Sequence, residues 1–85
     1  MPVAVVTGAS AGIGLETAKG LAKKNFDLIL VSRSLKKLNS IKGDLESHHS
    51  INCDVFSYDL SLIKSNIDFY EEVVNKFHKV DVLIN

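Results

Sequence analysis

Cysteine, proline, surplus charge and long apolar runs are all scarce in this sequence, and each scarcity removes a class of protein. Cys53 is the only cysteine, so no disulfide can close within the chain, which suits a reducing compartment. Ten basic side chains balance ten acidic ones. No net field therefore calls for DNA, RNA or an anionic membrane, and no nucleic-acid partner is expected. No stretch approaches the roughly 18 consecutive apolar residues of a bilayer span. The opening Met1-Pro2-Val3 runs straight into an apolar strand pattern. It has neither the basic and apolar regions of a signal peptide nor an Arg-rich leader, so the expected location is cytoplasmic. His48 and His49 stand together in a polar stretch and His78 apart from them. No cysteine or acid has ligand spacing around them, and no metal site is expected. The one proline, Pro2, lies outside every expected helix.

What is present alternates. The 85 residues, 46% hydrophobic and 24% charged, make less than one ordinary domain of about 100–150 residues. Val3-Ala4-Val5-Val6 and Leu28-Ile29-Leu30-Val31 are short apolar runs of the kind buried on both faces of a parallel sheet. Between them, Gly14, Ala18, Leu21 and Ala22 recur at helical spacing over Gly12–Lys24, with Asn25 as a stop. Ser34 is placed to cap a second helix carrying Leu35, Leu38, Ile41 and Leu45, which Ser47-His48-His49-Ser50 breaks. Ile51 to Tyr58 reads as a third strand, with Ile51, Cys53 and Val55 on one face. Asn66 to Lys79 reads as a third helix and Val80 to Ile84 as a fourth strand. The pattern β-α-β-α-β-α-β predicts an α/β, Rossmann-type doubly wound parallel sheet with right-handed crossovers. In strand order 3-2-1-4 the polar third strand lies outermost, where partial exposure is tolerable.

The turn after the first strand carries the most information. Thr7-Gly8-Ala9-Ser10-Ala11-Gly12-Ile13-Gly14 lies between a strand and a helix, where a dinucleotide needs a phosphate cradle. Gly8 provides the tight turn, since glycine alone takes positive φ without strain. A bare Cα at Gly12 lets a pyrophosphate approach the backbone, and one at Gly14 lets helix and strand pack closely. The helix N-terminus then presents free N–H groups to the phosphates. A glycine-rich turn with no ligand is the plainer reading, but the strand, the helix and the βα repeat all favour the cradle. No Gly-Lys-Ser or Gly-Lys-Thr follows, so a P-loop is excluded.

The Thr-Gly-x-x-x-Gly-x-Gly spacing resembles the signature of the short-chain dehydrogenase/reductase family, in its shorter-chain branch. Three residues, Ala9, Ser10 and Ala11, separate the first two glycines, where the extended branch usually has two. The second strand ends Val31-Ser32-Arg33-Ser34. An NAD enzyme usually places an acid there for the ribose 2′-OH. Here Ser32 takes that position and Arg33 follows. A guanidinium forms charge-assisted bonds to the 2′-phosphate of NADP, which a carboxylate would repel. Ser10, Ser32 and Ser34 can add hydroxyls. The expected cofactor is therefore NADP(H), although an Arg at a strand end can also be merely solvated. Some family members carry a further basic residue where this chain has Ala11.

The resemblance extends to two more segments. Asp59-Leu60 resembles the pair that the family sets against adenine, the carboxylate accepting from the exocyclic amine. Val80-Asp81-Val82-Leu83-Ile84-Asn85 resembles the family's fourth strand and the first residue of its Asn-Asn-Ala-Gly segment, which borders the ribose. The expected cofactor-binding set is thus Thr7, Gly8, Ser10, Ala11, Gly12, Ile13, Gly14, Ser32, Arg33, Ser34, Asp59, Leu60 and Asn85.

The catalytic set has no counterpart. The family uses a Tyr, a Lys four residues later and a Ser, whereas Tyr58 is followed four later by Leu62 and Tyr70 by Val74. Both tyrosines read as packing residues, and Cys53 as a small buried one. Residues 1–85 are therefore expected to form the N-terminal part of a single NAD(P)-binding domain, cut before its catalytic half and inactive alone. The resemblance implies a whole protein that moves hydride between nicotinamide and a small or lipid-like carbonyl/alcohol substrate, as a homo-oligomer. Two rivals stand beside it: a non-catalytic NADP(H)-binding sensor or regulatory module, and a piece that binds nothing because its sheet is incomplete.

Overall fold

The computed structural model describes residues 2–59, 64, 67–69, 71, 72 and 82–84. Strand β1 (Val3–Thr7) leads through the glycine-rich turn into α1 (Gly12–Lys23). Next come β2 (Asp27–Ser32), α2 (Leu35–His48), β3 (Cys53–Ser57) and β4 (Val82–Ile84). The strands form one sheet in the order β3-β2-β1-β4, and each neighbouring pair is parallel. Of the helix expected over 66–79, the described positions 67–69, 71 and 72 are helical. Tyr70 and the rest of that stretch lie outside the described residues, as do Leu60 and Asn85.

The apolar runs become central strands because side chains alternate across the pleat and both faces are covered. Ala4, Val6, Leu28, Leu30 and Cys53 meet Ala18 and Ala22 of α1 and Leu38 and Leu45 of α2. On the other face, Val5, Ile29, Val31 and Phe56 meet Phe69. Helices on both faces make the sheet doubly wound. Burying each Leu or Ile side chain contributes about 1.5–3 kcal/mol. Leu28, Ile29, Leu30 and Val31 are at most 1% exposed, so β2 is held from both faces.

Local rules fix the helix ends. After α1, Asn25 takes φ +65°, its N–H bonds to the Ala22 carbonyl and the Phe26 N–H to that of Leu21. This is a left-handed stop with the two paired bonds of a Schellman motif. Phe26 and Leu21 both pack against the core. At the start of α2, the Ser34 Oγ accepts from the Lys37 N–H at 3.3 Å, as a Ser N-cap should. Leu35 departs from the expected apolar stripe and is 48% exposed. It opens the helix beyond the end of β2, where there is no more sheet to cover.

Strand β3 is shorter than the Ile51–Tyr58 reading. The Asn52 N–H bonds to Asp27 Oδ1 rather than into the strand ladder, although Ile51 is buried with the face expected of it. The Asn52 carbonyl accepts from the Leu28 N–H, so the backbone groups of Cys53 point away from β2. Two side chains of α2 occupy them: Glu46 Oε2 accepts from the Cys53 N–H at 2.9 Å, and Lys42 Nζ donates to its carbonyl at 2.7 Å. Such capping blunts an edge that would otherwise be open to another strand.

Candidate functional site

Those of the residues singled out by sequence that are described lie at the carboxyl ends of β1, β2 and β3, which is where doubly wound sheets bind ligands. At the end of β1 the chain turns at Gly8, φ +62°, and reaches α1 through Gly12, φ +58°. A side chain at either position would meet open space but a strained backbone. Gly14 is constrained differently. A Cβ there would sit 2.2 Å from the Gly8 carbonyl oxygen, so the helix can lie against the turn only without one. The turn is tied to the neighbouring strand by the Ala9 N–H donating to the Val31 carbonyl at 3.0 Å, and Ala9 itself is buried.

Helix α1 begins without a side-chain cap. Its N-cap is Ala11, and no acid stands in its first turn. The first helical hydrogen bond runs from the Leu15 N–H to the Ala11 carbonyl. The amides of Gly12, Ile13 and Gly14 precede it and look out at the positive end of the helix. Ile13 is 85% exposed.

Thr7, Gly8, Ser10 and Ala11 form one wall of an open cleft of about 660 Å³. Ser32, Arg33 and Ser34 form the second wall, with Val31 at its base, and Tyr58 and Asp59 close it from the end of β3. Of the expected set, Gly12, Ile13 and Gly14 sit just beside the cleft at the head of α1. Ser32 is buried and its Oγ accepts from the Ser34 N–H at 3.1 Å. Both serine oxygens therefore already shape the β2–α2 turn as acceptors. Arg33 is exposed, and no carboxylate among the described residues pairs with it. Asp54, by contrast, lines a different hollow beside Asp27 and Asn52.

Besides Val31 at the base, two cleft residues fell outside the sequence expectation. Lys37 lines the wall formed by Arg33 and Ser34. Its signal was present in the spacing, since it follows Arg33 by four residues across a Ser cap. Tyr58 is half-buried, packs its ring 5.7 Å from that of Phe69 and donates its hydroxyl to Glu72. That hydrogen bond to a carboxylate, helped by desolvation, raises the phenol above its ordinary range. Elsewhere, burial first and then the Glu46 charge push the Cys53 thiol up to about 11. His48 belongs to the last turn of α2 rather than to a loop, its Nδ1 lying 2.8 Å from the Asp44 carbonyl oxygen. Among the described residues, no three His, Cys, Asp or Glu side chains gather where they could hold a metal ion, and no helix is long and apolar enough to cross a membrane.

A glycine turn with two positive-φ residues, an uncapped helix start and a cleft at the carboxyl ends of a doubly wound parallel sheet define a Rossmann-type nucleotide-binding fold. Known proteins narrow the class. The sequence matches the short chain dehydrogenase family over residues 2–85, and the chain belongs to that family. It is 46% identical over 83 residues to a very-long-chain 3-oxoacyl-CoA reductase of Kluyveromyces lactis, covering 96% of this chain and 24% of the relative. Among solved structures, an alcohol dehydrogenase of the archaeon Thermococcus sibiricus, complexed with 5-hydroxy-NADP, superposes with a TM-score of 0.92 at 36% identity. That match covers 98% of this chain and 35% of the other. L-sorbose reductase of Gluconobacter frateurii, complexed with NADPH and L-sorbose, gives 0.90 at 31% identity, covering 99% of this chain and 32% of the other. The chain thus spans about a quarter to a third of the length of these proteins.

Proposed function

We propose that this chain is the cofactor-binding portion of an NADP(H)-dependent oxidoreductase that moves hydride between nicotinamide and a carbonyl/alcohol substrate. The observation that carries the cofactor choice is Arg33, exposed on the cleft wall without a carboxylate partner among the described residues, at the position following Ser32 where an NAD site would be acidic. Structural neighbours complexed with NADP-type cofactors support the same choice.

The residues present fit such a group. The first-turn amides of α1 and the bare Cα of Gly12 leave a pyrophosphate room at the positive helix end. Arg33 would take the 2′-phosphate in charge-assisted bonds, with the hydroxyls of Ser10, Ser32 and Ser34 as additional donors. Asp59, with Leu60, would face the adenine, and Thr7, Ala11 and Ile13 would supply backbone around the phosphates. Asn85 would border the ribose. When bound, the cofactor supplies the hydride. This chain's part is to hold and orient it, because none of its tyrosines has the Lys four residues on. On this reading the 85 residues bind without turning over.

The 3-oxoacyl-CoA reductases among the relatives make a long-chain 3-oxoacyl thioester the first substrate to try with the whole protein. The cofactor reading is tested by titrating the chain with NADPH and NADH in a calorimeter. NADPH should bind about 10–100-fold more tightly, as expected for charge-assisted bonds contributing about 1.5–3 kcal/mol, and Arg33→Ala should close most of the gap. Equal affinities for the unaltered chain would end the NADP assignment.

A further inference from the structure

Helix α2 starts with its charges the wrong way round. The N-terminus of a helix is its positive end and favours acids, yet the first turn of α2 contains none. Instead Arg33, Lys36 and Lys37 cluster there. Carboxylate pairing does not offset this. The ion pairs among the described residues, Lys19–Glu16 and Lys42–Glu46, involve neither Arg33 nor Lys36 nor Lys37. The arrangement is unfavourable for the helix alone and becomes favourable when an anion lies against it.

The cleft distinguishes between the two lysines. Both are exposed, but Lys37 lines the wall with Arg33 and Ser34, and Lys36 does not. The reason is the turn geometry: Ser34 Oγ accepts from the Lys37 N–H, which fixes Lys37 one turn beyond Arg33 on the same side. We propose that Lys37 is a second specificity-determining cation, acting with Arg33 on the ribose 2′-phosphate. This rests on the NADP(H) reading above and adds to it. Arg33 supplies a planar fork for two phosphate oxygens, and Lys37 a flexible point charge for the remaining one. A phosphate close to a dianion at neutral pH uses both cations, whereas a 2′-hydroxyl gives Lys37 nothing to pair with.

The test compares two probes that differ only in that phosphate, 2′,5′-ADP and 5′-AMP, titrated into the full chain and its variants. Lys37→Gln should weaken 2′,5′-ADP about five-fold, the upper range for an exposed pair, and leave 5′-AMP within about two-fold. Lys37→Arg should keep most of the affinity, and Lys36→Gln should leave both probes unchanged. The loss of 2′,5′-ADP affinity with added salt should also flatten in Lys37→Gln. A circular dichroism spectrum unchanged from the parent chain establishes that each variant is folded. If Arg33→Ala weakens 2′,5′-ADP but Lys37→Gln does not, the NADP(H) reading stands and the role of Lys37 is overturned. Equal losses in Lys36→Gln and Lys37→Gln would mean a diffuse field and would overturn it too. A parent chain that does not prefer 2′,5′-ADP to 5′-AMP defeats both readings together.

Discussion

Two helices start on the same face of one sheet, a few residues past the ends of neighbouring strands, and the sequence treats their first turns in opposite ways. Helix α2 is closed: Ser34 satisfies a first-turn amide with its own side chain. Helix α1 is open: Ala11 has the extended backbone of an N-cap, φ −161°, ψ 165°, but no oxygen to offer. A capping side chain is worth about 1 kcal/mol, so α1 forgoes a stabilisation that α2 takes. A ligand is expected to complete the structure where the amides are left open. The amides left open on α1 lie beside two positive-φ glycines and a cleft, and those closed on α2 support the wall that bears Arg33.

Breaking the open start should have the largest effect. Gly14→Ala pushes a methyl into the Gly8 carbonyl, backbone that cannot swing aside. A loss of about 3 kcal/mol in urea unfolding is expected, near the top of the usual overpacking range. The same substitution at Gly20, in the body of α1 with nothing within 4 Å of a new Cβ, should instead stabilise by about 0.5–1 kcal/mol. Opposite signs from one chemical change on one helix would show that close approach, not helix propensity, keeps Gly14.

Exchanging the caps sharpens the contrast. Ser34→Ala should cost about 1 kcal/mol. Ala11→Ser should add about 0.5 kcal/mol to the ligand-free chain, and the gain should shrink under saturating NADPH because the phosphates already serve those amides. A gain that is the same with and without NADPH would mean that the first turn of α1 is not the phosphate site.

The far end of the sheet gives the smallest effect, on reactivity. With its thiol pushed up to about 11 and 2% exposed, Cys53 should resist a thiol-specific disulfide reagent at pH 8 until urea unfolds the chain. Because its folded pKa lies above the ordinary value of 9.0, the stability linked to this thiol is complete below pH 9. It is lost as pH rises from about 9 to about 11. Rapid labelling of the native chain at pH 8 would contradict the burial.

Much of this was legible because the strongest signals are local. Apolar runs at Val3–Val6 and Leu28–Val31 can be little else than buried strands. Ser34 before a helical stripe marks its own cap, and the three turn glycines carry their spacing in plain view. Arg33 was legible as a cleft residue because it directly follows β2, at whose carboxyl end the cleft lies. What escaped depends on geometry between elements. Lys37 looks like one half of a solvated Lys-Lys pair until the Ser34 cap sets it on the cleft wall. Lys42 and Glu46 look like an ordinary i,i+4 pair, yet both reach the backbone of Cys53. Leu35 has the spacing of a core residue, but helical periodicity does not reveal where the sheet beneath it ends.

On the proposed reading, the open start of α1 is a phosphate cradle facing an Arg33 wall. That reading is tested most directly by following backbone amide resonances of the ¹⁵N-labelled chain while NADPH is added. Saturable shifts are expected at Gly8, Gly12, Ile13, Gly14 and Arg33, with Asn52 and Cys53 at the far end of the sheet unmoved. Amides of the glycine turn that stay fixed at saturating NADPH, or shifts centred on the far end, would contradict it.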